Sequence, residues 1–102
     1  MSILAERKQK EIFIDQLKEG GRIDELFAVK SSRLAETRAG KPYLILTVMD
    51  KSGEIGGPVW EQAEERQAFC GEGNFIRIIG SVQSYRDKQQ LKIDQIFPVE
   101  PD

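Results

Sequence analysis

Residues 38–60 read RAGKPYLILTVMDKSGEIGGPVW. YLILTVMD, at 43–50, alternates in the way of a half-buried strand. Leu44, Leu46 and Val48 fall on one face, and Tyr43, Ile45 and Thr47 on the other. DKSGE carries turn chemistry, with Gly53 near its end. EIGGPVW then reads as a second strand, with Ile55, Val59 and Trp60 as its principal side chains. The GGP within it predicts an edge or a bulge, because proline cannot donate to a ladder and glycine lets backbones approach closely. The hairpin opens on Arg38 and Lys41 and closes on the chain's single tryptophan. Cations and large rings at the ends of good strands are either a solvated surface or a platform for a charged, aromatic ligand.

Upstream, ILAERKQKEIFIDQL (3–17) favours helix by propensity but has too few apolar positions for a stable amphipathic helix. It reads as an N-terminal arm, with IFIDQL as a short apolar contact at the surface or edge of the domain. After a KEGG turn, RIDELFAVKSS reads as a strand carrying Ile23, Phe27 and Val29. Glu25 interrupts its alternation, which predicts a bulge there. RLAETRAGKP (33–42) reads as a polar loop of about ten residues, or as a mobile hairpin that extends both flanking strands. Downstream, EQAEERQAF (61–69) reads as one short helix stopped at Gly71. NFIRIIGSVQSY is a strand with Ile76, Ile78 and Val82 inward. YRDKQQ is a hairpin turn. LKIDQIFPV is a last strand with Leu91 and Ile93 inward, ended by Pro98. The chain divides into an arm (1–17), one domain (18–98) and a tail or linker (99–102). Five strands with a helix between the third and fourth predict a mainly β protein, the Greek-key barrel known as the OB-fold.

Composition excludes several chemistries. The 102 residues contain no histidine and one cysteine, Cys70. Imidazole general acid–base catalysis, His-based triads, zinc sites built on His and Cys, and an internal disulfide are therefore out of reach. The acidic residues lack the spacing of a Ca²⁺ loop. No catalytic residue, metal ligand or cofactor site is expected, and Cys70 beside Phe69 reads as a buried helix-end residue. No apolar run approaches the ~20 residues of a membrane span, and the N-terminus has no signal-like stretch. The expected compartment is the cytoplasm.

The net charge is −2, but its distribution is uneven. Residues 30–51 hold Lys30, Arg33, Arg38, Lys41 and Lys51 against Glu36 and Asp50. Residues 77–92 hold Arg77, Arg86, Lys88 and Lys92 against Asp87. On the barrel these segments become the first-to-second and fourth-to-fifth connections with their strands, which flank the binding face of OB-folds. Tyr43 and Trp60 point outward and offer bases a surface to stack on. Tyr85 offers a third ring from the opposite wall, and Lys30, Arg33, Arg38, Lys41, Arg86 and Lys88 follow phosphates. The blander alternatives are Trp60 packed on the helix or the arm, Tyr43 serving only as its cross-strand partner, and Arg77 paired with a carboxylate. Lys92 and Gln90 alternate with core residues and read as solvated outward positions.

GKPYLILTVMDKSGEI resembles the motif GKPFLxLTLxDKTGEI of OB-fold nucleic-acid-binding domains. The likeness extends from KEGGRIDELFAVK, through the VW at 59–60, to FIRIIGSVQSYRDKQQLKI, and spans residues 12–98. The chain is most similar to the N-terminal OB domain of YhaM-type 3′→5′ exoribonucleases. It is more distantly similar to the anticodon-binding domains of tRNA synthetases and to the OB domain of bacterial replicative polymerases. The resemblance implies a substrate-holding module for single-stranded RNA or DNA, with RNA slightly favoured. It also implies a partner in cis, an HD-type metal-dependent phosphohydrolase domain that supplies the chemistry. The implied positions are Lys41, Tyr43, Trp60, Tyr85 and the cations of the YRDK turn. Pro58 and Glu25 depart from the family pattern, standing where a polar residue and a glycine are usual. A protein-interaction or oligomerisation module using the same face is the alternative, since one fold serves many functions.

Overall fold

The computed structural model describes residues 12–99. A 3-10 turn (Ile14–Gln16) precedes strands β1 (Arg22–Glu36), β2 (Pro42–Asp50) and β3 (Gly53–Val59). Helix α1 (Ala63–Gln67) follows, then strands β4 (Phe75–Tyr85) and β5 (Lys88–Val99). Residues 1–11 of the expected arm and 100–102 of the expected tail lie outside the described residues.

All pairings are antiparallel, in the order β3-β2-β1-β4-β5. Three consecutive hairpin-linked strands with the fourth returned beside the first make a Greek key. β3 and β5, at the two ends of the order, pack on each other and close the barrel. Closure needs a backbone contact at one point. A Cβ added to Gly57 would lie 2.4 Å from the Leu91 carbonyl oxygen. The GGP stretch is thus the seam of the barrel. Pro58 sits on β3, which ladders on one side only, to β2, so its missing N–H removes no ladder bond from a central strand.

The core follows the alternation read from sequence. Leu44, Leu46 and Val48 meet Ile55 and Val59, and Ile76, Ile78 and Val82 meet Leu91. Each such side chain stabilises the fold by about 1.5–3 kcal/mol when fully buried. Ile14 and Leu17 also belong to this core, while Ile12 of the same IFIDQL stretch stays exposed and Phe13 half-buried.

Four expectations need correction. Glu25 does not break the alternation of β1. Ile23, Glu25, Phe27 and Val29 all point inward, and Glu25 is only 2% exposed. A buried carboxylate is tolerated where donors meet it, and the Ile12 amide donates to Glu25 Oε2 at 3.0 Å. The bulge lies at Lys30 instead, between Val29 and Ser31. It turns Ser31, Arg33 and Ala35 outward with their partners Thr47, Ile45 and Tyr43. Secondly, the segment 33–42 is mostly strand, which is the hairpin extension and not the ten-residue loop. β1 runs to Glu36, and only 37–41 form a turn, closed by Thr37 N–H to the Lys41 carbonyl and Gly40 N–H to the Thr37 carbonyl, each 2.9 Å. Ladder bonds need no apolar face, so a polar hairpin arm extends as well as an apolar one. Thirdly, α1 covers five residues rather than nine. Lastly, β5 continues through Pro98 to Val99, and a bulge at Asp94 shifts its phase. Leu91 and Ile96 are buried, while Ile93 only packs against the core's margin.

Candidate nucleic-acid interface

The register across β1, β2 and β3 builds the outer face row by row. Ser31, Thr47 and Gly56 form one row; Arg33, Ile45 and Pro58 form the next. Ala35 and Tyr43 form the third, and Trp60 follows Val59 off the end of β3, beside Tyr43. The Tyr43 and Trp60 rings stack with centroids 4.7 Å apart and planes inclined by 28°. Trp60 remains 48% exposed while Tyr43 is half-buried, so Tyr43 braces the tryptophan and leaves its outer side to solvent. Of the alternatives open for these rings, the structure takes the cross-strand pair, and that pair stays accessible.

The turn at 37–41 projects just beyond this stack and carries Arg38 and Lys41, both exposed. Lys41 Nζ lies 3.9 Å from Glu61 Oε1. Lys30, at the bulge, is paired with Glu54 on β3. Pairs this exposed contribute little to stability and exchange readily for another anion. Arg33 stands in the middle row, over Ile45 and Pro58. The sequence marks Pro58 only as a departure from the family pattern and does not single out Gly56 as part of this face. The alternation that buries Ile55, Gly57 and Val59 signals them, because it turns Gly56, Pro58 and Trp60 outward together. Pro58 makes a low, apolar floor in the row of Arg33, next to the rings, and Gly56 continues it in the row beyond.

Tyr85, Arg86 and Lys88 gather elsewhere. They belong to a two-residue hairpin in which Tyr85 pairs with Lys88, and Arg86 and Asp87 have φ of 52° and 63°. That is a type I′ geometry, which favours Asn and Gly. The Arg86 guanidinium lies 5.4 Å from the Tyr85 ring centroid. The root of this hairpin and the β2–β3 turn flank the same 3-10 turn. Gln89 Nε2 donates to the Leu17 carbonyl at 3.1 Å, and Ile14 N–H donates to Asp50 at 2.8 Å. The Tyr85 cluster therefore lies near the Gly53 end of β3, and the Tyr43–Trp60 stack lies at its other end. Seven strand residues separate those ends, roughly 20 Å. The two clusters lie near opposite ends of β3 and do not touch. Replacing Arg86 with Asn is expected to stabilise the fold by up to about 1 kcal/mol through relief of the left-handed backbone. Thermal melts of the variant against the parent check this.

Arg77 takes no part. Its guanidinium makes two 2.7 Å hydrogen bonds to the Asp24 carboxylate, and that partner raises its pKa further. Lys92 is exposed and Gln90 is hydrogen-bonded through its side chain to Gln83. Cys70 is fully buried, and burial pushes its thiol up to about 11 against a smaller opposing pull from Arg66, so it is protonated and inert at neutral pH. Among the described residues no group of three or more His, Cys, Asp or Glu side chains is placed to hold a metal ion, and no helix is long and apolar enough to cross a membrane.

Residues 25–99 match the family described as the OB-fold nucleic acid binding domain. The 3′-5′ exoribonuclease YhaM of Listeria monocytogenes is 38% identical over 77 residues, which are 76% of this chain and 25% of that enzyme. YhaM of Bacillus subtilis is 31% identical over 80 residues, 78% of this chain and 26% of that protein. The chain thus spans about a quarter of the length of these relatives. Among solved structures, the second OB-fold domain of replication protein A from Methanococcus maripaludis superposes with a TM-score of 0.65. It is 17% identical, and the match covers 87% of this chain and 94% of that one. A replication protein A heterotrimer bound to single-stranded DNA gives 0.60 at 18% identity, over 82% of this chain and 62% of that one. At such identities the structural likeness speaks for the fold.

Proposed function

We propose, since this chain belongs to the family of OB-fold nucleic acid binding domains, that it holds single-stranded nucleic acid for a nuclease of which it is one part. The observation that carries this is the exposed Tyr43–Trp60 stack at the mouth of a turn bearing Arg38 and Lys41. A π-face accepts any base, and flexible cations follow a flexible backbone, so binding has little sequence preference. The strand runs from the stack, over Ile45, Pro58 and Arg33, towards Tyr85, Arg86 and Lys88. Lys30 and Lys41 exchange their carboxylate partners for phosphate as the strand arrives. RNA is the favoured ligand because the relatives matched over most of this chain are exoribonucleases. Hydrolysis belongs to a separate HD-type catalytic domain, and the whole works in the cytoplasm.

The test is fluorescence anisotropy of a labelled twelve-nucleotide RNA titrated with the domain at several salt concentrations, with the DNA equivalent alongside. Saturable binding is expected. With about four phosphates neutralised, log K falls against log salt with a slope near −3. RNA binds somewhat more tightly than DNA. A folded domain that binds neither strand at low salt would overturn the reading and leave the face to a protein partner.

A further inference from the structure

A second exposed surface lies away from the stack. Met49, Ala28, Phe75 and Val99 are successive cross-strand partners, so they form one outward row across β2, β1, β4 and β5. Phe97 stands in the next row, beside Arg77. Phe75 is 48% exposed and Phe97 43%. Between Met49, Ala28 and Phe75 the surface sinks into an open groove of about 260 Å³, also lined by Leu26, Phe27 and Asp50. The one cation in these rows, Arg77, is neutralised by its two hydrogen bonds to Asp24. A contiguous apolar row with two half-exposed phenylalanines, edged by the Asp50 carboxylate, is the composition of a protein contact. It does not suit phosphate. Met49 and Tyr43 stand six residues apart along β2, about 20 Å, so this surface lies clear of the Tyr43–Trp60 stack.

What covers it is indicated by where the chain leaves. Val99 is both a member of the row, opposite Phe75, and the last residue of β5. The family match also ends at residue 99, and the matched region is about a quarter of the relatives' length, at their N-terminus. A body continuing from this point starts against the row itself. Such a tether gives an effective concentration in the millimolar range, so a modest apolar contact is populated.

We infer that the row Met49–Ala28–Phe75–Val99, with Phe97, is the surface on which the remainder of a longer exoribonuclease docks, fixing the OB domain against its catalytic body. This rests on the reading above that the chain is one part of such an enzyme. Docking orients the nucleic-acid face, so the strand end held at one side of the barrel is delivered in one direction.

The test fuses this chain to the remaining three quarters of Listeria monocytogenes YhaM, in place of that enzyme's N-terminal quarter. Hydrogen exchange is followed in peptides covering 73–79 and 95–99. Exchange is expected to slow about tenfold in the fusion relative to the 102-residue chain. A Phe75→Lys/Phe97→Lys variant returns it to the rate of the chain alone. Both side chains are about half exposed, so the variant folds, which circular dichroism checks. Its affinity for the twelve-nucleotide RNA is unchanged. Equal exchange in the fusion and the free chain would overturn the inference. Self-association of the free chain that the lysine variant abolishes would assign the surface to a second copy instead. Faster exchange on deleting residues 1–11 from the free chain would assign it to the N-terminal segment. Protection without RNA binding would remove the proposed function and keep this surface.

Discussion

Trp60→Ala lowers affinity for single-stranded RNA by about ten- to a hundredfold, as expected for loss of one base stack worth roughly 1–3 kcal/mol. The indole is half exposed and lies at the end of β3, so its removal leaves the core intact. Tyr43→Ala has a smaller effect, because its half-buried ring mainly braces the indole from 4.7 Å. The two changes are therefore not additive. Once Trp60 is gone, Tyr43 has nothing to brace, and the double variant binds little worse than Trp60→Ala alone. The coupling lies in the range of an aromatic pair, about 0.5–1.5 kcal/mol. Trp60→Phe retains most of the affinity, since a smaller ring still stacks. A double-mutant cycle read by anisotropy at fixed salt checks all four values. Unaltered affinity in Trp60→Ala, with the thermal melt unchanged, would exclude the stack as the binding platform.

Gly57→Ala destabilises the barrel by about 3 kcal/mol, at the upper end of what overpacking costs. The new Cβ would stand 2.4 Å from the Leu91 carbonyl oxygen and 3.0 Å from the Leu91 Cβ. A side-chain neighbour could rotate aside, but a backbone carbonyl in a ladder cannot. β3 and β5 must separate at the point where they close the barrel. For a domain of this size the midpoint of thermal unfolding falls by about 10–20 °C. Gly56→Ala is the control. Its added Cβ faces outward and comes no nearer than 3.3 Å, to the Leu46 carbonyl oxygen, so its cost stays below about 1 kcal/mol. Equal losses from the two substitutions, measured by thermal or urea denaturation, would mean that close approach at the seam is not what requires glycine at 57.

The alternation of YLILTVMD was enough to place Leu44, Leu46 and Val48 in the core and Tyr43 outside. With the turn at DKSGE it also set the β2–β3 hairpin, while the GGP read only as an edge or a bulge. Those features are local: period two follows from the pleat, and turns follow from the residues that tolerate them. The absence of histidine and the lone cysteine likewise bounded the chemistry without any fold. Other features were decided only in three dimensions. A bulge leaves no mark in a one-dimensional pattern, because the extra residue is defined by the partner strand it faces. Hence Lys30 and Asp94, not Glu25, shift the phase of their strands, and Ile96 joins the core in place of Ile93. Glu25 could be read as buried only once the Ile12 amide, thirteen residues away, was seen to meet it. The proposed binding residues divide in the same way. Sequence spacing set Arg38, Lys41, Tyr43 and Trp60 at one hairpin mouth, because a single strand pair carries them. Whether Lys30 and Lys41 meet Glu54 and Glu61, and how far Tyr85 lies from Trp60, depend on the closure of β3 against β5, a contact between segments far apart in the chain that no local pattern encodes.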